Sequence, residues 1–181
     1  MTPTQKKVLE WPLLILILWL SQSMEISLLR LPGPLGSFHI PPVLIVYLAL
    51  TRSWGSLTLL AFVFSYLGST SVSHSASIYI ASQVWTALAT KSVATALALE
   101  GRPQFTMLVV GSHIVSRLLT HVLLAYLGQN ADVFSFVSYT LIGTLPAALL
   151  GWLLFPLFME WDRYFGHEAD DSRELNPDLI R

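Results

Sequence analysis

Cysteine is absent from the 181 residues, which removes disulfides, thiolate nucleophiles and cysteine-ligated metals together. Charge is scarce as well: 12% of the chain is Asp, Glu, Lys or Arg, against about 25% in ordinary soluble domains. Ten basic and eleven acidic residues leave a formal net charge of -1, and no basic block or aromatic-basic interleaving occurs. Nucleic acid is therefore not an expected partner. The motifs of nucleophilic, phosphate and zinc chemistry are missing too, with no Gly-x-Ser-x-Gly elbow, no Walker loop and no His-Glu-x-x-His.

What the chain has instead is apolar residues, 54% of the total. A soluble protein of this length cannot bury that much, so the expected solvent is lipid. A membrane-crossing helix needs about 20 predominantly apolar residues. Windows bounded by charge, Gly or Pro predict six spans, at about 11–29, 38–51, 55–68, 77–99, 105–127 and 133–159. The first begins after Lys6 and Lys7 like a secretory signal, but no small-residue cleavage site follows and apolar character resumes at Ile26, Leu28 and Leu29, so the span is read as retained. The second is short and led by Pro41 and Pro42, tolerable in a first helical turn whose N–H groups have no partner. Glu100-Gly101-Arg102-Pro103 ends the fourth span and Gly128-Gln129-Asn130 ends the fifth. Pro146 is a potential kink in the sixth. Residues 166–181 form an acidic tail expected to be flexible and cytoplasmic.

Basic residues orient the spans, because cytoplasmic loops retain Lys and Arg. With both termini inside, Lys6, Lys7, Arg52, Arg102, Arg163, Arg173 and Arg181 are cytoplasmic, seven of the ten basic residues. Trp11, Trp54, Trp161 and Tyr164 then fall at the cytoplasmic boundary, where amphipathic rings prefer to sit. The expected fold class is an all-α compact bundle of six transmembrane helices in the inner (cytoplasmic) membrane, a multi-pass protein surrounded by membrane lipids.

Charged groups inside spans are the informative ones, each costing about 2.5–3.5 kcal/mol at a helix centre. They are Glu25, Lys91 and Arg117. At about 1.5 Å per residue from the cytoplasmic boundary, Glu25 lies about 21 Å deep and Arg117 about 18 Å, so the two are candidates for a buried pair; the alternative is that Glu25 reaches the outer interface. His113, Arg117 and His121, spaced by four, share a helix face. That face suits a partner helix, a small anion or structural packing. It suits a metal poorly, because Arg117 would repel a cation and the histidines are eight residues apart. No cofactor is expected.

Lys91 and Gln83 lie among Ser82, Thr86, Thr90, Ser92 and Thr95, which marks the fourth span as a buried polar helix hydrogen-bonded to its neighbours. Gly143, Ala147 and Gly151 make a small-residue ridge for close helix packing. Glu160, Asp162 and His167 cluster at the cytoplasmic end and read as a solvated face, and the serine cluster Ser69 to Ser77 with His74 reads as an outer loop.

Pro41-Pro42-Val43-Leu44-Ile45-Val46-Tyr47-Leu48-Ala49-Leu50 ending at Arg52, then a Gly-containing turn and a third span ending in Gly68, resembles the bacterial rod-shape-determining family MreD. The specific resemblance runs from Pro41 to His74, and the size and six-span plan agree over nearly the whole chain. It implies a non-enzymatic subunit of the cell-wall elongation complex, scaffolding an MreC-like protein and peptidoglycan synthases. It also implies a fold similar to the substrate-binding S component of energy-coupling-factor transporters. That similarity opens an alternative: a small-molecule capture subunit with an outward pocket, the Ser69 to Ser77 loop as lid and His121 or Arg117 holding an anion.

Overall fold

The computed structural model describes residues 3–27, 40–69, 75–97, 101–129 and 132–165, the side chains of 3–8 and 22–27 excepted. The described residues form six helices: α1 (Pro3–Ser27), α2 (Ile40–Thr51), α3 (Trp54–Gly68), α4 (Ala76–Ala96), α5 (Arg102–Tyr126) and α6 (Val133–Phe165). They contain no strand. The described part of the protein is all-α. The number and order of the helices match the six predicted segments, and the two largest displacements are at the outer ends of the first and last helices. Helix α1 begins eight residues before the expected Trp11, because Gln5, Lys6 and Lys7 are good helix formers and Pro3 occupies a first-turn position. Helix α6 runs six residues past Met159. The acidic tail 166–181 lies outside the described residues.

Length and apolar composition together single out two helices among the described residues. Helices α5 and α6, with 25 and 33 residues, are long and apolar enough to cross a membrane. Helix α2 has 12 residues and α3 has 15, about 18 and 22 Å at 1.5 Å per residue, short of the roughly 30 Å hydrocarbon core. The shortness of α2 goes with its position. Nine consecutive residues from Pro41 to Ala49 are buried, as they must be in a helix apolar on every side and enclosed by its neighbours. Helix α2 packs against all five others, so it is the axis of the bundle.

The turns follow from local chemistry. Leu57 N–H donates to Ser53 O at 2.9 Å to begin α3 directly after Arg52 closes α2 on Leu48 O. Gly101, before α5, takes φ +87°, a region open to glycine. At the far end Gly128, φ +67°, donates to Ala125 O and Gln129 to Leu124 O at 3.1 and 3.0 Å. This is the Schellman arrangement that caps a helix C-terminus with glycine. Asp132 caps the start of α6, its carboxylate accepting from the Phe134 and Ser135 N–H groups and the Ser135 hydroxyl.

Beside an apolar core, small polar groups are buried and many large apolar side chains are exposed. Among the described residues Ser65, Ser82, Gln83, Thr86, Thr90, Ser112, His113 and Ser116 are buried, whereas Leu59, Met107, Phe134, Leu141, Leu145, Leu153 and Leu157 are exposed. Isolated apolar residues on a surface carry no message, but bands along successive helices do. Leu141, Leu145 and Leu149 repeat along one face of α6, as Ile114, Leu118 and Val122 do along α5.

Helices α5 and α6 meet through the small-residue ridge: Gly143, Ala147 and Gly151 are all buried, and a Cβ at Gly151 would stand 3.2 Å from Val109 Cγ2. Pro156, inside α6, has no N–H for the Trp152 carbonyl one turn back. Arg102 Nε donates to that carbonyl at 2.9 Å, and its guanidinium lies 4.7 Å from the Trp152 ring centroid. The first residue of α5 thus meets a bond that the proline removes from α6.

Candidate functional site

Two polar groupings lie inside the bundle. The first is at the end where α1 begins and α2 and α6 finish. Glu10 and Arg52 form a salt bridge, with their side chains only 2% and 8% exposed. One turn before Arg52, the Tyr47 hydroxyl donates to Asp162 Oδ1 at 2.7 Å. The Tyr47 ring stacks on Phe158 at 4.4 Å between centroids, and Phe105 of α5 lies tilted against Phe158 and Phe155. Two acids and a base from three helices are thereby tied through the buried central helix. Deep burial holds such groups in one geometry, because an ion separated from its counter-ion there costs several kcal/mol.

Asp162 is consequently more than part of a solvated face, since it holds Tyr47 and sits half-buried. Glu160 fits the solvated reading, paired with Arg163 where both are about two-thirds exposed. His167 lies outside the described residues.

The second grouping is the seam between α4 and α5. Gln83 Nε2 donates to Ser116 Oγ across the helices at 3.0 Å. Thr86 and Thr90, also buried, bond back to Ser82 O and Thr86 O on their own helix, and Ser92 and Thr95 do likewise. The expectation that the α4 hydroxyls bridge to neighbouring helices is therefore corrected: a hydroxyl one turn above a carbonyl finds it more readily than a partner helix does. Lys91 is half-buried on α4.

The stripe on α5 is graded from core to rim. His113 is 1% exposed, Arg117 is half-buried, and His121 is half-buried with its ring 4.7 Å from that of Phe136 on α6. The grading follows from helix geometry: four residues turn about 400°, so each step of four drifts about 40° around the axis. His113 faces inward, and two steps later His121 has rotated onto α6.

Helix α1 packs chiefly on α3, α2 and α6, and α5 chiefly on α6, α4 and α2. The Glu25 side chain, proposed from the sequence as a partner for Arg117, lies outside the described residues. The described acid–base pair of α1 is Glu10 with Arg52. The sequence expectations do not include Glu10, and Arg52 enters them only as a cytoplasmic charge in the turn after the second span. The available signal was that Arg52 is the one charged residue between two apolar helices joined by a two-residue turn, where a cation has little room to leave the bundle.

A cavity of about 310 Å³ opens between the end of α4 and the beginning of α5, lined by Thr90, Val93, Leu97, Met107, Gly111, Ser112 and their neighbours. It lies away from the Ser69 to Ser77 region, and neither Arg117 nor His121 lines it. Residues 70–74 of that region, His74 included, lie outside the described residues.

At the opposite end of α5, Asp132 provides a pH-sensitive feature. The Ser135 hydroxyl first, then the Ser135 and Phe134 N–H groups, with His121 adding a smaller pull, hold its carboxyl below the ordinary carboxylate value. A carboxylate whose folded value is depressed contributes stability that is complete above the unfolded value, about 3.9, and is lost as pH falls through the folded value. Acidification below about pH 4 should therefore release the first turn of α6. Amide chemical shifts of Phe134 and Ser135 will report it, and Asp132→Asn should make those shifts insensitive to pH over this range. Unchanged titration of the shifts in Asp132→Asn would assign the effect to another group.

No protein-family model, curated protein or solved structure matches the chain.

Proposed function

We propose that the chain is a multi-pass protein of the bacterial cytoplasmic membrane, a six-helix bundle with both ends in the cytoplasm, and a non-enzymatic scaffold of the cell-wall elongation machinery. The observation that carries the membrane reading is the surface: bands of Leu, Phe and Met face outward, while hydroxyls, an amide and an imidazole lie within the apolar core. In water the exposed bands on α5 and α6 would drive aggregation, whereas in lipid they are the solvent-facing surface. The short helix α2 is accommodated because it is enclosed by protein and needs no lipid-matched length. The end carrying Arg52, Arg102 and Arg163 is the cytoplasmic one, which the bias of basic residues supports.

The scaffold role rests on the resemblance of the Pro41 to His74 segment to the MreD family. Here that segment contains the central helix and the turn into α3. Partners of the expected kind, an MreC-like protein and peptidoglycan synthases, would meet the exposed apolar bands. One observation favours a second reading, a capture subunit like the transporter S components: the open cavity between α4 and α5. Mild-detergent co-purification of the tagged protein, with mass identification of what accompanies it, separates the two. Wall-synthesis proteins should co-elute; recovery of an ATPase pair in their place would sink the scaffold and support capture.

A further inference from the structure

We propose that the cavity between α4 and α5 binds a neutral aliphatic alcohol drawn from the membrane, with its hydroxyl held by Ser112. The inference goes beyond the scaffold reading and shares with it only the membrane setting.

Size and lining define the ligand. About 310 Å³ is at the lower end of small-molecule sites, about 300–1,000 Å³. Ala89, Val93, Leu97, Met107, Leu108 and Val115 make the walls aliphatic, and among the described lining residues none is aromatic or charged. An ion would enter without a counter-charge, at prohibitive desolvation cost, and a planar ring would have nothing to stack on. Gly111 keeps the cavity open, since a Cβ there would meet nothing within 4 Å.

Polar atoms define the rest. Ser112 is 4% exposed, yet its Oγ has no hydrogen-bond partner. It is the exception among buried hydroxyls of the described residues: Thr90 lines the same cavity and bonds to Thr86 O at 2.7 Å, and Ser116, one turn above Ser112, accepts from Gln83. Gln104 Oε1, at the cavity end nearest the start of α5, is also buried without a partner. Ser112 lies about 15 Å along α5 from Arg102, a depth at which no water reaches its hydroxyl and the cost stands unrelieved. The hydrocarbon tail of an ordinary lipid fills the space but leaves that hydroxyl unsatisfied. A hydroxyl can accept from Ser112 and can donate to a bare acceptor. The walls select its aliphatic body, and the orphaned hydroxyl selects its head.

The test uses the full-length protein in lipid nanodiscs, its membrane residence first established by fractionation, so that a failure of the membrane reading is seen separately. Two diazirine photoprobes are compared, hexadecanol and the hexadecane of the same chain length. The alcohol should label peptides containing Val93 and Met107 about tenfold more strongly than the hydrocarbon, the discrimination expected when a buried polar group is satisfied by one ligand and left bare by the other. Excess unlabelled hexadecanol should compete. Ser112→Ala should reduce labelling about fivefold or more and Ser112→Thr should retain it, while Gly111→Leu, which has space to fold, should abolish it by filling the cavity. Circular dichroism of each variant confirms the helices. Equal labelling by the two probes, labelling unchanged in Ser112→Ala, or labelling confined to other helices overturns the proposal.

Discussion

Arg52→Ala lowers the stability of the folded protein by about 3–5 kcal/mol, and Glu10→Ala does nearly the same. Each change takes away the ion-pair partner of a charge that is only 2% or 8% exposed. The cost arises mainly because the remaining charge keeps its desolvation penalty while losing that attraction. Replacing both residues by apolar ones of similar volume, Glu10→Leu with Arg52→Met, therefore restores most of the loss, since forming a buried pair costs nearly as much in desolvation as it returns. Unfolding midpoints in detergent titrated with a denaturing surfactant measure all three. If the double substitution is as damaging as the sum of the singles, the pair contributes net stability and the desolvation argument fails. A loss below about 1 kcal/mol for Arg52→Ala would place the guanidinium in water, where exposed pairs are worth little.

The second large effect is at the ridge between α5 and α6. Gly151→Ile should destabilise by about 2–3 kcal/mol, the usual cost of overpacking a filled interior. Even its first carbon would stand 3.2 Å from Val109 Cγ2 and 3.3 Å from Val109 Cβ. Val109 is β-branched, with little freedom at χ1 to move aside, and it is fully buried. Glycine's poor helix propensity, about 1 kcal/mol below alanine, works in the opposite direction, so Gly151→Ala is expected to lie near zero. Adding Val109→Ala to Gly151→Ile should recover more than half of the loss. The same unfolding titration decides, and a Gly151→Ile protein as stable as the parent would mean that α5 and α6 separate there without penalty. In lipid the effect has a particular meaning: helices gain little from excluding hydrocarbon, so packing and hydrogen bonds carry their association.

Helix number and order were legible in the sequence because proline, glycine and charge punctuate it. Pro41-Pro42 can stand only near a helix start, Gly101 and Gly128 take positive φ at helix ends, and Arg52 interrupts two apolar runs. The start of α1 was less legible, because a polar helical turn outside lipid resembles a loop when hydrophobicity is the signal. The buried position of α2 was hidden for a related reason. A helix apolar on every side has no preferred face, so its pattern cannot distinguish lipid from protein as surroundings.

For the polar groups, legibility depended on range. Gln83 on α4 and the ridge at Gly143, Ala147 and Gly151 follow from spacing within one helix. Glu10 and Arg52 are 42 residues apart, and Tyr47 and Asp162 are 115 apart. Choosing those partners requires knowing which helix ends converge. The His113, Arg117, His121 stripe meets graded surroundings, because a face defined by steps of four rotates along the helix.

The burial of α2 has a consequence for how the protein is made. A segment of 12 residues enclosed by its neighbours lacks the surfaces that bury it until those neighbours arrive. It leaves the ribosome second, yet three of the helices that enclose it, α4, α5 and α6, are synthesised after it. Final assembly is then a late event, waiting for Asp162 and Phe158 to emerge and reach Tyr47. A chain truncated before α6 would lack the stacking of Phe158 and the carboxylate of Asp162 that hold Tyr47.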